Sequence, residues 1–74
     1  MTLETARALV ATALDLPPEH VAADAGMLTL DAWDSLAHLR IVLALEQHIG
    51  RALEGEEITR IEGVADVAAL LDGA

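Results

Sequence analysis

The 74-residue chain has no cysteine and one aromatic residue, Trp33, and 54% of its residues are hydrophobic. These features exclude a disulfide framework, a thiolate zinc site and a cysteine nucleophile, and they argue against disorder. Thirteen acidic and four basic residues give a formal net charge of −9, which repels nucleic acid and anionic membranes and attracts basic protein surfaces. We therefore expect one small domain over residues 1–74 with an aliphatic core.

The sequence shows no membrane or export segment. No apolar run approaches the roughly 20 residues that a membrane span needs. The N-terminus has no basic segment followed by an apolar stretch. The sequence therefore predicts a cytoplasmic protein.

The first predicted element is a helix from about Leu3 to Leu14. Apolar residues recur there at helical spacing and share one face. Pro17 and Pro18 are predicted to prevent the helix from continuing, because their rings remove two backbone donors. The residues on the predicted buried face are Leu3, Ala6, Val10 and Leu14.

Residues 15–34 lack sustained periodicity and predict a loop of a length usually associated with function or disorder. Apolar residues within it favour an ordered loop pinned onto the helices. Trp33 is predicted to anchor the end of the loop in the core, because an indole buries a large area. The alternative is that Trp33 contacts partners. The other predicted pinning residues are Leu16, Val21, Met27, Leu28 and Leu30.

The second helix is predicted from Ser35 to Ile49, with Gly50 as its C-terminal stop. Its apolar arc is wider than one core requires, so the helix is either central or offers apolar residues to a partner. One part of the arc consists of Leu36, Leu39 and Leu43. The remainder consists of Ile41, Val42, Leu45 and Ile49, with His38 among them. The opposite side is predicted to hold Ala37, Arg40, Ala44, Gln47 and His48.

Two further helices are predicted, from about Glu56 to Arg60 and from about Val64 to Leu71. No segment has the pattern of a strand. The predicted fold is all-α: a small four-helix bundle with three main helices, a short third helix and a long first loop.

Ser35 lies at the boundary between this loop and the second helix, and its role has three interpretations. Asp34 or Ser35 can serve as the N-cap of the helix. A nucleophilic serine would need a positioned base, and only His38 lies one helical turn away; without a G-x-S-x-G pattern this interpretation is disfavoured. A phosphate ester on Ser35 would be stabilised by the free N–H groups of the helix N-terminus. Local chemistry leaves the cap and the attachment site open.

The length, acidity, loop length and helix pattern together resemble the acyl carrier protein family over essentially the whole chain. The segments that resemble the family's second-helix signature are Asp34-Ser35-Leu36, Leu39, Ile41-Val42, Leu45-Glu46 and Ile49-Gly50. The resemblance implies a right-handed four-helix bundle. It also implies that Ser35 carries 4′-phosphopantetheine, which a phosphopantetheinyl transferase takes from coenzyme A.

The resemblance further implies a free-standing, monomeric carrier rather than an enzyme. The terminal thiol of the arm would hold an acyl or aminoacyl group as a thioester. The chain itself has no cysteine, so the arm would supply the thiol for this bond. The partners would be an acyl- or aminoacyl-loading enzyme and downstream synthase or transferase enzymes. Trp33, His38 and Arg40 depart from the common fatty-acid pattern and favour polyketide, nonribosomal peptide or related biosynthesis.

Family carriers meet their enzymes through the second helix and the adjoining loop. The positions that would form these contacts here are Trp33, Asp34, Leu36, Leu39, Arg40, Leu43, Glu46, Glu56 and Glu57. Each has a simpler interpretation, because leucines on a helical stripe are usually core and acids are usually solvated surface.

No metal site is predicted, because His20, His38 and His48 lack a ligand spacing. The rival function is an acidic helical adaptor that binds a basic partner and is never modified.

Overall fold

The computed structural model describes residues 2–73, which form a bundle of helices. Three main helices are α1 (Thr2–Leu14), α2 (Ser35–Ile49) and α4 (Val64–Asp72). A short helix, α3 (Gly55–Arg60), precedes α4, and one 3-10 turn (Pro18–His20) lies in the first loop. Helix α1 packs against both α2 and α4. Apart from one isolated β-bridge, residues 2–73 contain no strand, so the predicted all-α bundle is confirmed.

The core consists of aliphatic side chains from all parts of the bundle, together with the indole of Trp33. Ala6 and Val10 are buried as predicted, and Leu14 is half-buried. Leu3 is 40% exposed, which corrects its assignment to the buried face. It lies in the first turn of α1, where the end of the helix leaves its side chain partly uncovered.

Helix α1 ends through backbone geometry rather than through the prolines. The N–H of Leu16 donates to the carbonyl of Ala11 at 2.9 Å, and the N–H of Asp15 donates to the carbonyl of Thr12 at 3.2 Å. Asp15 has a φ of 58°, so it takes the left-handed conformation that closes a Schellman motif. The helix has therefore already ended before the chain reaches Pro17.

The first loop is fastened to the bundle at two places. Near its start, the guanidinium of Arg7 donates from Nε to the carbonyl of Val21 at 2.8 Å and from an Nη to that of Pro18 at 3.2 Å. Further along, Met27 N–H donates to the carbonyl of Glu62 at 2.9 Å. Together these hydrogen bonds tie the loop to α1 and to the segment that precedes α4.

The second fastening brings two backbones into direct contact at Gly26 and Gly63, which form the isolated antiparallel bridge. A Cβ at Gly26 would lie 2.5 Å from the carbonyl oxygen of Glu62, and a Cβ at Gly63 would lie 2.8 Å from that of Ala25. No side chain fits at either position. Glycine is therefore required by the close approach and not by an unusual φ.

The apolar residues of the loop divide into two groups. Val21 is buried and Leu16 and Leu30 are half-buried, which confirms them as pinning residues. Met27 and Leu28 are 38% and 98% exposed, so their assignment was wrong. They lie in the turn closed by hydrogen bonds from Thr29 and Leu30 to the carbonyl of Gly26, whose apex projects away from the bundle.

The wide apolar arc of α2 separates into a buried face and an exposed face. Ile41, Val42 and Leu45 are buried, and His38 is half-buried. Ala37 is also buried, contrary to its predicted exposed position, because it lies four residues before Ile41 and shares that residue's face. The exposed face carries Leu36, Leu39 and Leu43, which are 59%, 54% and 52% exposed, with Arg40 between them.

The contact between Gly26 and Gly63 generates a prediction about stability. We expect Gly26→Ala to lower the free energy of unfolding by about 1–3 kcal/mol, because the added methyl group meets a backbone carbonyl that cannot move aside. Urea denaturation followed by circular dichroism measures the change. Gly55→Ala is the matched control, since nothing lies within 4 Å of a Cβ at Gly55. Equal stability of the Gly26 and Gly55 variants would contradict the close approach.

The division of α2 into two faces generates a second prediction. Leu45→Ala should cost about 2–4 kcal/mol, because it opens a cavity in the core. Leu39→Ala removes an equal number of atoms from a half-exposed side chain and should cost less than about 1 kcal/mol. Denaturant melts of the two variants compare them directly. A loss below about 0.5 kcal/mol for Leu45→Ala would refute the buried face.

Candidate functional site

Ser35 is the first residue of α2, and its side chain is exposed. The N-cap is Asp34, whose Oδ1 accepts a hydrogen bond from the N–H of Ala37 at 2.8 Å. The hydroxyl of Ser35 has no hydrogen-bond partner within residues 2–73, and Ser35 is the only serine in the chain. Capping is therefore performed by the neighbouring residue, and the serine oxygen is free to be modified.

The backbone around Ser35 suits a phosphate ester on that oxygen. Asp34 accepts from the N–H groups of Ala37 and His38, through its side chain and its carbonyl respectively. The N–H groups of Ser35 and Leu36 have no partner in the part of the chain that the structure describes. They point along the positive end of the helix dipole, where an anion is stabilised by roughly 0.3–1 kcal/mol. The carboxylate of Asp34 partly offsets this attraction.

A chain of hydrogen bonds runs from the end of the loop through α2 to α3. The indole N–H of Trp33 donates to Nδ1 of His38 at 3.1 Å, and Nε2 of His38 lies 3.2 Å from the carbonyl oxygen of Ile58. An indole nitrogen can only donate, so Nδ1 is the acceptor and the ring proton lies on Nε2, which donates to Ile58. Both nitrogens of His38 are thus engaged away from Ser35. His38 is therefore not positioned to act as a base toward Ser35.

Trp33 is 2% exposed and packs in the core, with its ring centroid 6.3 Å from that of His38. The predicted anchoring role is confirmed. The alternative assignment of Trp33 as a partner contact is corrected, because a side chain this deeply buried leaves almost no surface for a second protein. The sequence pattern places His38 within the apolar arc of α2 but does not indicate its two hydrogen bonds, because Trp33 lies in an irregular loop and Ile58 is 20 positions away along the chain.

The predicted partner-binding acids differ in whether their carboxylates already form hydrogen bonds within the chain. The carboxylate of Glu46 is half-buried and accepts from the N–H of Leu53 at 2.7 Å, which fastens the loop after α2. Glu57 accepts two hydrogen bonds from Arg51, at 3.0 and 2.8 Å, and one from the N–H of Glu54 at 2.9 Å. Glu56 is exposed, and its carboxylate has no partner within residues 2–73.

The hydrogen bonds to Glu57 change its ionisation. Those from the Arg51 side chain and from the Glu54 backbone favour the charged carboxylate and lower the pKa of Glu57 from 4.5 to about 2. The same ion pair raises the pKa of Arg51. Glu57 therefore stabilises the turn between α2 and α3 and is less available to a partner than its position suggested.

The exposed face of α2 lies directly after Ser35. We call Leu36, Leu39, Arg40 and Leu43 the α2 strip. Its leucines are more than half exposed, and the first turn of the helix contains no acid. The strip is therefore apolar with one positive charge, in a domain whose formal net charge is −9.

Within the described part of the chain, neither a metal-binding cluster nor a membrane-spanning helix accompanies this site. Residues 2–73 contain no group of three or more His, Asp or Glu side chains arranged to hold a metal ion. Among the same residues, no helix is long and apolar enough to cross a membrane.

A comparison with protein families matches residues 4–71 to the PP-binding family, described as a phosphopantetheine attachment site. The match begins at the third residue of α1, includes α2 and α3, and ends one residue before the end of α4. A comparison with curated proteins gave no match.

The lowered pKa of Glu57 generates a prediction about acid stability. The group has a pKa of about 2 in the folded chain and 4.5 without its partners. Its stabilising contribution is therefore complete above pH 4.5 and is lost as the pH falls toward 2. We expect the free energy of unfolding of the wild type to fall more steeply in this range than that of Glu57→Gln, as measured by urea melts at successive pH values. Glu56→Gln is the control, and a slope changed equally by both variants would contradict the assignment.

Proposed function

Because the chain belongs to the phosphopantetheine-attachment family of carrier proteins, we propose that Ser35 is the residue that carries the 4′-phosphopantetheine arm. The observation that supports this most directly is that the only serine of the chain lies exposed at the N-terminus of α2, with no hydrogen-bond partner among the described residues 2–73. When bound, the arm supplies a terminal thiol that can hold an acyl or aminoacyl group as a thioester.

The residues around Ser35 would hold the base of the arm in a fixed place. Asp34 caps α2, and Trp33 anchors the loop that leads into it. His38 joins this segment to α3 through its two ring nitrogens. A rigid attachment point leaves the motion to the arm itself, so that a tethered group reaches partner active sites at a raised effective concentration.

The partners that this role requires are a phosphopantetheinyl transferase, an acyl- or aminoacyl-loading enzyme and downstream synthase or transferase enzymes. The α2 strip supports docking beside Ser35, because its three leucines are exposed without being needed for the core. We place the carrier in polyketide, nonribosomal peptide or related biosynthesis. The support is the apolar, locally cationic character of the strip, which differs from an acidic second helix suited to basic enzymes.

A second candidate function is an adaptor that binds a basic partner without being modified. The acidic formal net charge and the exposed α2 strip favour it. The adaptor function requires no modification of Ser35, so one experiment distinguishes the two functions.

The carrier function predicts a covalent change at one residue. After incubation with coenzyme A, Mg²⁺ and a broad-specificity phosphopantetheinyl transferase, intact-mass spectrometry should show one added phosphopantetheine group on the wild type and none on Ser35→Ala. Thr12→Ala, which removes another exposed hydroxyl, should be modified like the wild type. An unmodified wild type that still binds a basic partner would support the adaptor instead. Modification that persists in Ser35→Ala would refute the assignment of the site.

A further inference from the structure

Arg40 is a cation in the middle of an apolar face, and it has no partner in the part of the chain that the structure describes. It lies four residues after Leu36 and three before Leu43, so the three side chains share one surface of α2. Arg7 donates to the backbone of the first loop, and Arg51 is paired with Glu57. The guanidinium of Arg40 makes no hydrogen bond or ion pair within residues 2–73.

Docking of a partner on the leucines would necessarily cover Arg40. A surface that buries Leu36 and Leu43 removes water from the side chain between them. Burial of a guanidinium that loses its water without gaining an acceptor is strongly unfavourable and would cancel much of the gain from burying the leucines. A carboxylate is the acceptor whose geometry matches the guanidinium fork, through two parallel hydrogen bonds.

We propose that the enzyme that loads the arm presents an apolar patch containing a carboxylate, which pairs with Arg40 when the enzyme docks on the α2 strip. This inference rests on the proposed function, because it takes Ser35 as the attachment site. The acidic net charge of the chain favours a basic rim on the partner's surface. The centre of the contact, in contrast, requires an acidic side chain on the partner.

The sequence offers a direct way to detect that carboxylate, because the chain contains no lysine. Arg40→Lys places one side-chain amine on the strip. The loading enzyme is purified from the native host by its transfer of a labelled acyl or aminoacyl group to the modified protein. Its carboxylates are then activated with a carbodiimide and N-hydroxysuccinimide, and the excess reagent is quenched before the carrier is added. Only enzyme carboxylates can then form amides with carrier amines, and the carrier's own acids remain inert.

We expect the Arg40→Lys carrier to form a covalent adduct with the enzyme, and peptide mapping to place the amide bond between position 40 and an aspartate or glutamate. Arg60→Lys is the matched control, since Arg60 is exposed and forms no ion pair within residues 2–73. It should yield no more adduct than the wild type, whose N-terminal amine is common to all variants. Equal adduct from positions 40 and 60, or none from position 40, would overturn the proposal.

A kinetic comparison gives an independent readout. Arg40→Glu should lower kcat/KM for loading at least about tenfold, because two carboxylates would then face each other in the contact. Arg60→Glu changes the net charge by the same amount but on α3 rather than on the α2 strip, and it should change kcat/KM less than about twofold. An increase in kcat/KM for Arg40→Glu would show a basic partner surface and overturn the proposal.

Intact-mass measurements distinguish a failure of this proposal from a failure of the carrier function on which it rests. Each variant is first modified by the transferase and weighed. Failure of the wild type to gain the arm would refute the proposed function. Normal modification, followed by loading that is equally fast in wild type, Arg40→Glu and Arg60→Glu, would refute only the role of Arg40.

Discussion

The contact between the backbones of Gly26 and Gly63 holds the long first loop against the bundle, and the position of Ser35 depends on that loop. Twenty residues separate α1 from α2, and a free segment of this length would leave the entry to α2 poorly fixed. The paired glycines join the middle of the loop to the start of α4. Arg7 fastens its beginning and Trp33 buries its end. Because the loop is held at these three points, the chain enters the N-terminus of α2 in one orientation.

At that N-terminus, helix capping and the proposed attachment of the arm fall on different residues. Asp34 caps the helix by accepting from the N–H of Ala37, and the exposed Ser35 hydroxyl has no hydrogen-bond partner within residues 2–73. His38 lies one helical turn after Ser35, but its two ring nitrogens bond to Trp33 and Ile58 instead. The arrangement suits the rigid attachment point proposed for the arm. This agrees with a family whose members carry intermediates rather than convert them.

The distribution of charge differs from what the composition suggests. Several of the acids predicted to face partners form intramolecular hydrogen bonds: Asp34 caps α2, Glu46 holds Leu53, and Glu57 pairs with Arg51. The surface that follows Ser35 is instead apolar and carries Arg40. Net charge sets the long-range field, but the few side chains that lose water in the contact determine which partner fits.

The sequence by itself determined the helix content, the bounds of α2, the width of that helix's apolar arc and the candidate serine. These features follow from local periodicity, capping preferences and a family pattern that extends over residues 4–71. Only the tertiary structure decided which leucines of α2 were exposed, that Ala37 was buried, and that Met27 and Leu28 pointed outward. It also decided the partners of His38, Glu46 and Gly26, which lie 20, 7 and 37 positions away along the chain. Periodicity gives the width of an apolar arc, but which part of it is covered depends on where the other helices and the loop pack.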